Sequence, residues 1–230
     1  MLRAAYAAFY RAIARRLVDR PPGPVVECGA GIGNLRIAVP GCLATDLFPN
    51  PWIDRTENVY ALSFADGSIS ALILIDVFHH LEYPGAALAE MRRVLAPGGR
   101  IVLFEPGMGI FGRLILGLFH HEQLALSRPI TWEVPADWGP HAIRYYAAQG
   151  NAWRIFVRGE FAPRLDGLHL REVAYYPALP WLLAGGFRGP QLPPDFAFGV
   201  VRGLDRLLSP LARLVASRML VVLEKRLRSP

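Results

Sequence analysis

The sequence predicts a doubly wound α/β fold, a mostly parallel β-sheet with helices on both faces. Three observations carry this. Val25-Val26-Glu27-Cys28 runs straight into Gly29, Gly31 and Gly33, a spacing that lets the chain turn sharply from strand to helix because no Cβ obstructs it. Ala71 to Asp76 is a near-continuous apolar run ending in a carboxylate, as a central strand covered on both sides requires. Apolar runs alternate with helix-period segments through the first half of the chain, the pattern of βαβ units.

Element by element, Leu2 to Val18 reads as an amphipathic helix, with Leu2, Tyr6, Phe9, Ile13 and Leu17 on one face and Arg11, Arg15 and Arg16 beside it. Such a helix either packs over the sheet or lies on an anionic membrane surface. Pro21-Pro22-Gly23-Pro24 ends it. Strands are expected at Val25 to Cys28 and Cys42 to Asp46, joined by a short helix near Asn34 to Val39, with a third short strand within Thr56 to Tyr60. Ala86 to Leu95 supplies a helix that turns Leu88, Met91 and Leu95 to the sheet. Pro97-Gly98-Gly99 closes it, and Ile101 to Phe104 is a buried strand followed by Glu105.

The second half is less regular. Gly107 to His121 reads as a flexible or helical cover over the crevice, and His141 to Phe156 as a helix broken near Gly150. Leu168 to Tyr176 and Met219 to Leu223 read as the last strands, the latter as an antiparallel member. Between them lies an unusually apolar insertion, Pro177 to Val215, with Trp181, Leu182, Leu183, Phe187, Phe196 and Phe198. It is read either as a hydrophobic lid over a substrate or as packing against the core or a second subunit.

Composition narrows the class. At 230 residues, 53% hydrophobic and 19% charged, the chain folds around one substantial core. The net charge of +6 rests on arginines, with Lys225 the only lysine. That balance suits an anionic lipid or substrate. With no basic block interleaved with aromatics, sequence-specific nucleic-acid binding is not expected. Cys28 and Cys42 have neither metal-ligand nor disulfide spacing, which suits a reducing, cytoplasmic compartment. Arginines interrupt the early apolar positions, so no secretory signal is read, and no run is long enough to cross a bilayer.

The glycine turn points to a nucleotide-like cofactor. Glu27 sits just inside the end of a buried strand, a costly place for an acid without a hydrogen-bonding task. Asp46 ends the next strand, from which a carboxylate can accept both hydroxyls of a ribose. The run lacks the lysine and hydroxyl of a P-loop, which argues against ATP or GTP.

Glu27-Cys28-Gly29-Ala30-Gly31-Ile32-Gly33 resembles the first motif of class I S-adenosylmethionine-dependent methyltransferases. Leu62-Ser63-Phe64-Ala65-Asp66-Gly67-Ser68-Ile69 resembles their LPFPDGSF segment, and Val77 to Leu81 and Arg93 to Arg100 resemble the two that follow. His120-His121-Glu122, Asn151 and Leu183-Ala184-Gly185-Gly186 resemble a bacterial branch of the family and extend the match over most of the chain. The resemblance implies a Rossmann-like, seven-stranded sheet and S-adenosyl-L-methionine as cofactor. It divides the single domain, 1–230, into an N-terminal helix (1–20), a cofactor-binding core (24–105), substrate-binding and cap elements (106–216) and a final strand (217–224).

The resemblance also assigns residues. Glu27 would help hold the methionine amino group, Gly29, Ala30 and Gly31 would form the close-approach loop, and Asp46 would bind the ribose with Leu47 beside the adenine. Asn58 stands where the family often has an acid, and with Val59 it is expected at the adenine. Ser63 replaces the usual proline. Asp76, Val77 and Phe78 would pass near the methionine portion, although Asp76 can also be read as a turn acid.

Candidate acid–base groups are His79, His80, His120 and His121, any of which could instead be structural. Arg113 or Arg144 is expected to meet negative charge on the acceptor. No metal is expected, because three consecutive residues, His120-His121-Glu122, cannot readily all face one ion. The function expected is methyl transfer to a small or amphiphilic acceptor by a monomer or homodimer, with peripheral membrane contact through amphipathic segments. An NAD-dependent oxidoreductase and a noncatalytic cofactor-binding protein are the alternatives.

Overall fold

The computed structural model describes residues 1–142, 144–186 and 189–227; Phe187 lies outside them. A seven-stranded sheet runs in the order β3-β2-β1-β4-β5-β7-β6. Its strands are β1 (Val25–Cys28), β2 (Leu43–Asp46), β3 (Arg55–Thr56), β4 (Ile69–Ile75), β5 (Leu95–Pro106), β6 (Leu168–Tyr176) and β7 (Arg218–Lys225). β3, β2, β1, β4 and β5 pair in parallel, whereas β7 runs antiparallel between β5 and β6. The doubly wound sheet and the antiparallel last strand are as expected.

Strand alternation sorts the core into two layers. Leu72, Leu74, Ile101 and Leu103 face the helix α2 (Pro84–Val94), meeting Leu88 and Met91. Ala71, Ile73, Val102 and Phe104 face the opposite way, toward helix α1 (Leu2–Arg15). The apolar stripe of α1 is buried on the sheet: Phe9 and Ile13 are core residues, and the Phe9 ring lies 4.6 Å from that of Phe104. Of the two readings of that helix, the structure shows the packed one, which leaves this face unavailable to a membrane.

Three elements differ from expectation. β5 begins at Leu95, so Pro97-Gly98-Gly99 lies within the strand. Ile69 pairs with Leu95 but Ala71 with Arg100, and the proline-glycine segment bulges between them. The third strand covers only Arg55–Thr56. The helix expected over 141–156 is confined to α4 (Asn151–Phe156). Upstream, tertiary bonds replace the helical ladder: Ala148 N–H donates to the His79 carbonyl, Gln149 N–H to Gln123 and Gly150 N–H to Leu124.

Gly107 to His121 contains a π-helical turn, Gly112–Leu116, that continues into α3 (Gly117–Phe119). The apolar insertion forms α5 (Leu179–Leu183), α6 (Phe198–Leu208) and α7 (Ala212–Val215). Among the described residues no helix is long and apolar enough to cross a membrane.

Candidate active site

The carboxyl ends of β1, β2, β4 and β5 lie along one edge of the sheet, and each leads into a chemistry-bearing residue: Gly29, Asp46, Asp76 and Glu105. Ligands bind to doubly wound sheets at this edge. Two cavities open there. The first, about 490 Å³, is walled by Gly29, Asp46, Leu47, Asn58 and Val59 on the sheet side, and by Tyr60, Tyr83, Trp138 and Tyr146 across from them. The second, about 450 Å³, is walled by Asp76, His79, His120, His121, Glu122 and Arg218, among others. His80 lines both.

The glycine turn is built for close approach. Gly29, Gly31 and Gly33 all have left-handed φ values, +73°, +55° and +66°. A Cβ on Gly29 would come within 2.3 Å of Val77 Cγ2, whereas one on Gly31 would meet open space. Ala30 completes the turn through its N–H to the Thr45 carbonyl, and Gly31 N–H donates to Oδ2 of Asp46 at 2.9 Å. Glycine turn and ribose-type carboxylate are therefore one unit.

Behind them Glu27 is 4% exposed, and its Oε2 is buried without a hydrogen-bond partner. Burial pushes its carboxyl up to about 8; Arg36 opposes this and Asp46 adds to it. A buried acceptor left unpaired beside an open turn is the arrangement a ligand amine would complete. The residues present thus fit the amino-acid end and ribose of S-adenosylmethionine.

Asn58 donates from Nδ2 to the Pro140 carbonyl at 2.7 Å and accepts from Tyr60 N–H at 3.0 Å. Its amide ties the irregular segment around Trp138 and Pro140 across the first cavity. Cover on that side comes from this segment, not from the C-terminal insertion, which contributes Trp181 to the second cavity. Ser63 explains its departure from proline: its N–H and hydroxyl hold Glu57 at 2.9 and 2.5 Å, and a proline has no N–H to give. Sequence reasoning passed over Glu57, whose signal was that replacement.

Two assignments are corrected. Phe78 does not line the cofactor cavity. Its side chain is fully buried against Phe156, and Val77 and His80 are the residues of that turn at the cavity. Arg113 donates to the Met108 carbonyl and stacks over Trp153 in a separate recess, leaving Arg144 in the wall of the first cavity.

In the second cavity Glu105 is completely buried and accepts N–H groups from Val77, Phe78 and His79, and its Oε2 lies 2.7 Å from His79 Nδ1. His79 Nε2 faces Glu122 at 3.5 Å. Burial works against charge on His79, but Glu105, Glu122 and Asp76 outweigh it and raise the imidazole to about 10. In this state the imidazole holds its protons between Glu105 and Glu122. The His79 imidazole in turn holds Glu122 well below the usual carboxylate range despite partial burial, helped by Tyr145 and Gln149.

His80 Nδ1 lies 2.8 Å from the Tyr146 carbonyl. A carbonyl only accepts, so Nδ1 carries the hydrogen, which makes Nε2 the acceptor nitrogen of the neutral ring. His120 is the reverse: its Nδ1 accepts from Glu122 N–H, which leaves Nε2 as its N–H. Asp76, in the left-handed region at φ +55°, lies 2.6 Å from Arg218 Nη2 and belongs to this second cavity; burial raises its carboxyl although Arg218 pulls it down. Arg218 gave no signal in the sequence, since it reads only as the residue before an apolar strand.

Residues 28–103 match the family profile described as "Methyltransferase domain". This match, with the shared folds below, supports a class I S-adenosylmethionine-dependent methyltransferase family. The chain is also 31% identical over 101 residues to the human thiol S-methyltransferase TMT1B, a match covering 35% of this chain and 41% of the relative. An uncharacterized 37.1 kDa protein of transposon Tn4556 from Streptomyces fradiae is 33% identical over 121 residues, 44% of this chain and 35% of that protein. The aligned region thus spans less than half the length of either relative.

Among solved structures, a geranyl diphosphate methyltransferase in complex with S-adenosylmethionine superimposes with a TM-score of 0.52 at 14% identity, covering 94% of this chain and 85% of that one. The YcgJ protein of Bacillus subtilis gives 0.51 at 14% identity, covering 96% and 98%. These two likenesses show a shared methyltransferase fold.

Proposed function

We propose that the chain catalyses S-adenosylmethionine-dependent methyl transfer to a small or amphiphilic acceptor, at oxygen or nitrogen, with a lipid, isoprenoid or glycan precursor as the acceptor class. The observation that carries this reading is the pair of cavities meeting at His80: one fits the cofactor, and the other gathers polar groups where an acceptor would enter.

When bound, S-adenosylmethionine supplies a sulfonium-activated methyl group, so the protein's main contribution is alignment. Gly29 and Gly31 give the close approach, Asp46 the hydroxyl contacts, Glu27 the charge opposite an amine, and Asn58 and Val59 the far wall. Tyr145, Tyr146 and Trp138 line the first cavity on the side away from the sheet. At the acceptor end the imidazoles of His80, His120 and His121 are gathered around Glu122; His120, an N–H donor at Nε2, orients the nucleophile, and His80 or His121 receives its proton.

A membrane-facing side is favoured by a second observation. Phe196, Val200, Leu204, Leu207, Leu211 and Leu214 recur every three or four residues, and all are exposed, Phe196 to 89%. Arg202, Arg206 and Arg213 accompany this stripe, a combination suited to an anionic lipid surface and to delivery of an amphiphilic acceptor.

Transfer of label from methyl-labelled S-adenosylmethionine to a panel of amphiphilic alcohols, amines and thiols tests the proposal. The thiols are included because a relative is a thiol S-methyltransferase. Incorporation into one class, abolished by Asp46→Ala, is expected. Absence of transfer to every class by protein that binds the cofactor would remove this acceptor reading.

A further inference from the structure

His79, His80 and Glu122 come from two separated segments, yet one ligand-type atom of each lies within 4.8 Å of the others. His79 Nε2 is 3.5 Å, and His80 Nε2 3.9 Å, from a Glu122 oxygen. A tetrahedral ion with bonds of 2.0–2.1 Å separates its ligand atoms by about 3.3 Å, so small side-chain rotations close the set. Unlike the consecutive triplet His120-His121-Glu122, this set has only two adjacent residues, His79 and His80 of one turn, and Glu122 reaches them from a distant segment.

The surroundings match those of a metal centre on all three ligands. Histidine ligands generally give their second nitrogen to a carboxylate or a backbone carbonyl, which fixes the ring and aims the other nitrogen. His79 has Glu105 at 2.7 Å from Nδ1, and His80 has the Tyr146 carbonyl at 2.8 Å. Glu122 is steadied by the Tyr145 hydroxyl at 2.8 Å and Gln149 Nε2 at 3.0 Å. The three ligands border the second cavity, so a fourth position remains open, as in catalytic rather than structural sites.

We propose that His79, His80 and Glu122 bind one divalent transition-metal ion of the Zn²⁺ class, whose open position holds the oxygen of the methyl acceptor. Two imidazoles and one carboxylate suit such an ion, which would take the place of the proton on His79 Nε2. Its role, which rests on the methyltransferase reading, is to acidify the acceptor. The acceptor's heteroatom loses its proton to water and forms a bond to the methyl carbon; the sulfur–methyl bond breaks, and its electron pair stays on the departing neutral thioether. His80 is then a ligand rather than the base.

The test is titration of tag-free, metal-stripped protein with Zn²⁺ by calorimetry and with Co²⁺ by visible absorption, with S-adenosylhomocysteine binding measured on the same samples. The expected result is about one equivalent of ion in a four-coordinate Co²⁺ spectrum, with affinity falling more than about tenfold in both His80→Ala and Glu122→Gln. Glu122→Gln keeps the shape of the side chain, and circular dichroism checks that both variants fold. The ion site is overturned if protein that binds S-adenosylhomocysteine takes up no stoichiometric Zn²⁺, or if both variants bind Zn²⁺ like the parent. Stoichiometric Zn²⁺ without S-adenosylhomocysteine binding would support the ion site and remove the cofactor reading instead.

Discussion

Nδ1 of His79 and Oε2 of Glu105 stand 2.7 Å apart, joining the turn after β4 to the end of β5. The same carboxylate accepts the backbone N–H groups of Val77, Phe78 and His79. One fully buried side chain therefore sets the shape of the turn that borders both cavities.

Glu105→Ala leaves those three amides and an imidazole without their acceptor. Breaking a buried pair in this way costs roughly 3–5 kcal/mol, so the urea midpoint should fall sharply. Glu105→Gln, which keeps an acceptor oxygen, should lose less. An Ala variant as stable as the parent would mean the turn holds without this anchor.

The glycine turn separates fit from function. Gly29→Ala meets Val77 in the folded state and should destabilise by roughly 1–3 kcal/mol. Gly31→Ala finds open space, so its stability loss should stay near about 1 kcal/mol, the strain of a left-handed alanine, while cofactor affinity falls at least about tenfold. Equal effects of the two substitutions on binding and on unfolding would refute this division.

Glu27 predicts a pH dependence. Its carboxyl is raised from 4.5 to about 8, so the folded state favours the neutral form. The resulting stability is fully present below pH 4.5 and is lost as pH climbs from there through about 8. A cationic amine needs the ionised form, so S-adenosylhomocysteine affinity should rise over the upper part of the same window. Titrations at several pH values check this, and Glu27→Gln should flatten the profile; a slope that survives the substitution would assign it to another group.

The exposed stripe from Phe196 to Leu214 should bind anionic vesicles in flotation, and Leu204→Asp with Leu207→Asp should abolish binding without changing the fold. Salt should weaken the arginine contribution. Flotation that persists in the double variant, or that never occurs in the parent, would remove the membrane reading. A concentration-dependent dimer lost in the same variant would assign the stripe to a second copy.

Legibility in the sequence follows the physics of each part. The sheet was readable because strands buried on both faces must be apolar runs, as at 71–75, and because Gly29 to Gly33 adopt conformations that glycine favours. Asp46 and Glu27 stood out as acids at strand ends. The walls built from distant segments were not readable. Trp138 reaches the first cavity from short local turns and Tyr146 from just before residues 148–150, whose backbone bonds run to His79, Gln123 and Leu124, so no helical or strand period marks either. Phe78 was misassigned because a turn alternates its neighbours between cavity and core, and only the fold shows which faces inward. The N-terminal helix shows the converse: its amphipathic period is the same whether it covers a sheet or a membrane, and Phe9 against Phe104 decides between them.

The most direct test of the cofactor assignment is calorimetric titration of the purified chain with S-adenosylmethionine and S-adenosylhomocysteine, with NAD as the control. The account predicts saturable binding of the first two, no binding of NAD, and loss of binding in Asp46→Ala, whose carboxylate joins the glycine turn through Gly31. Folded protein that binds neither, or that prefers NAD, would contradict it.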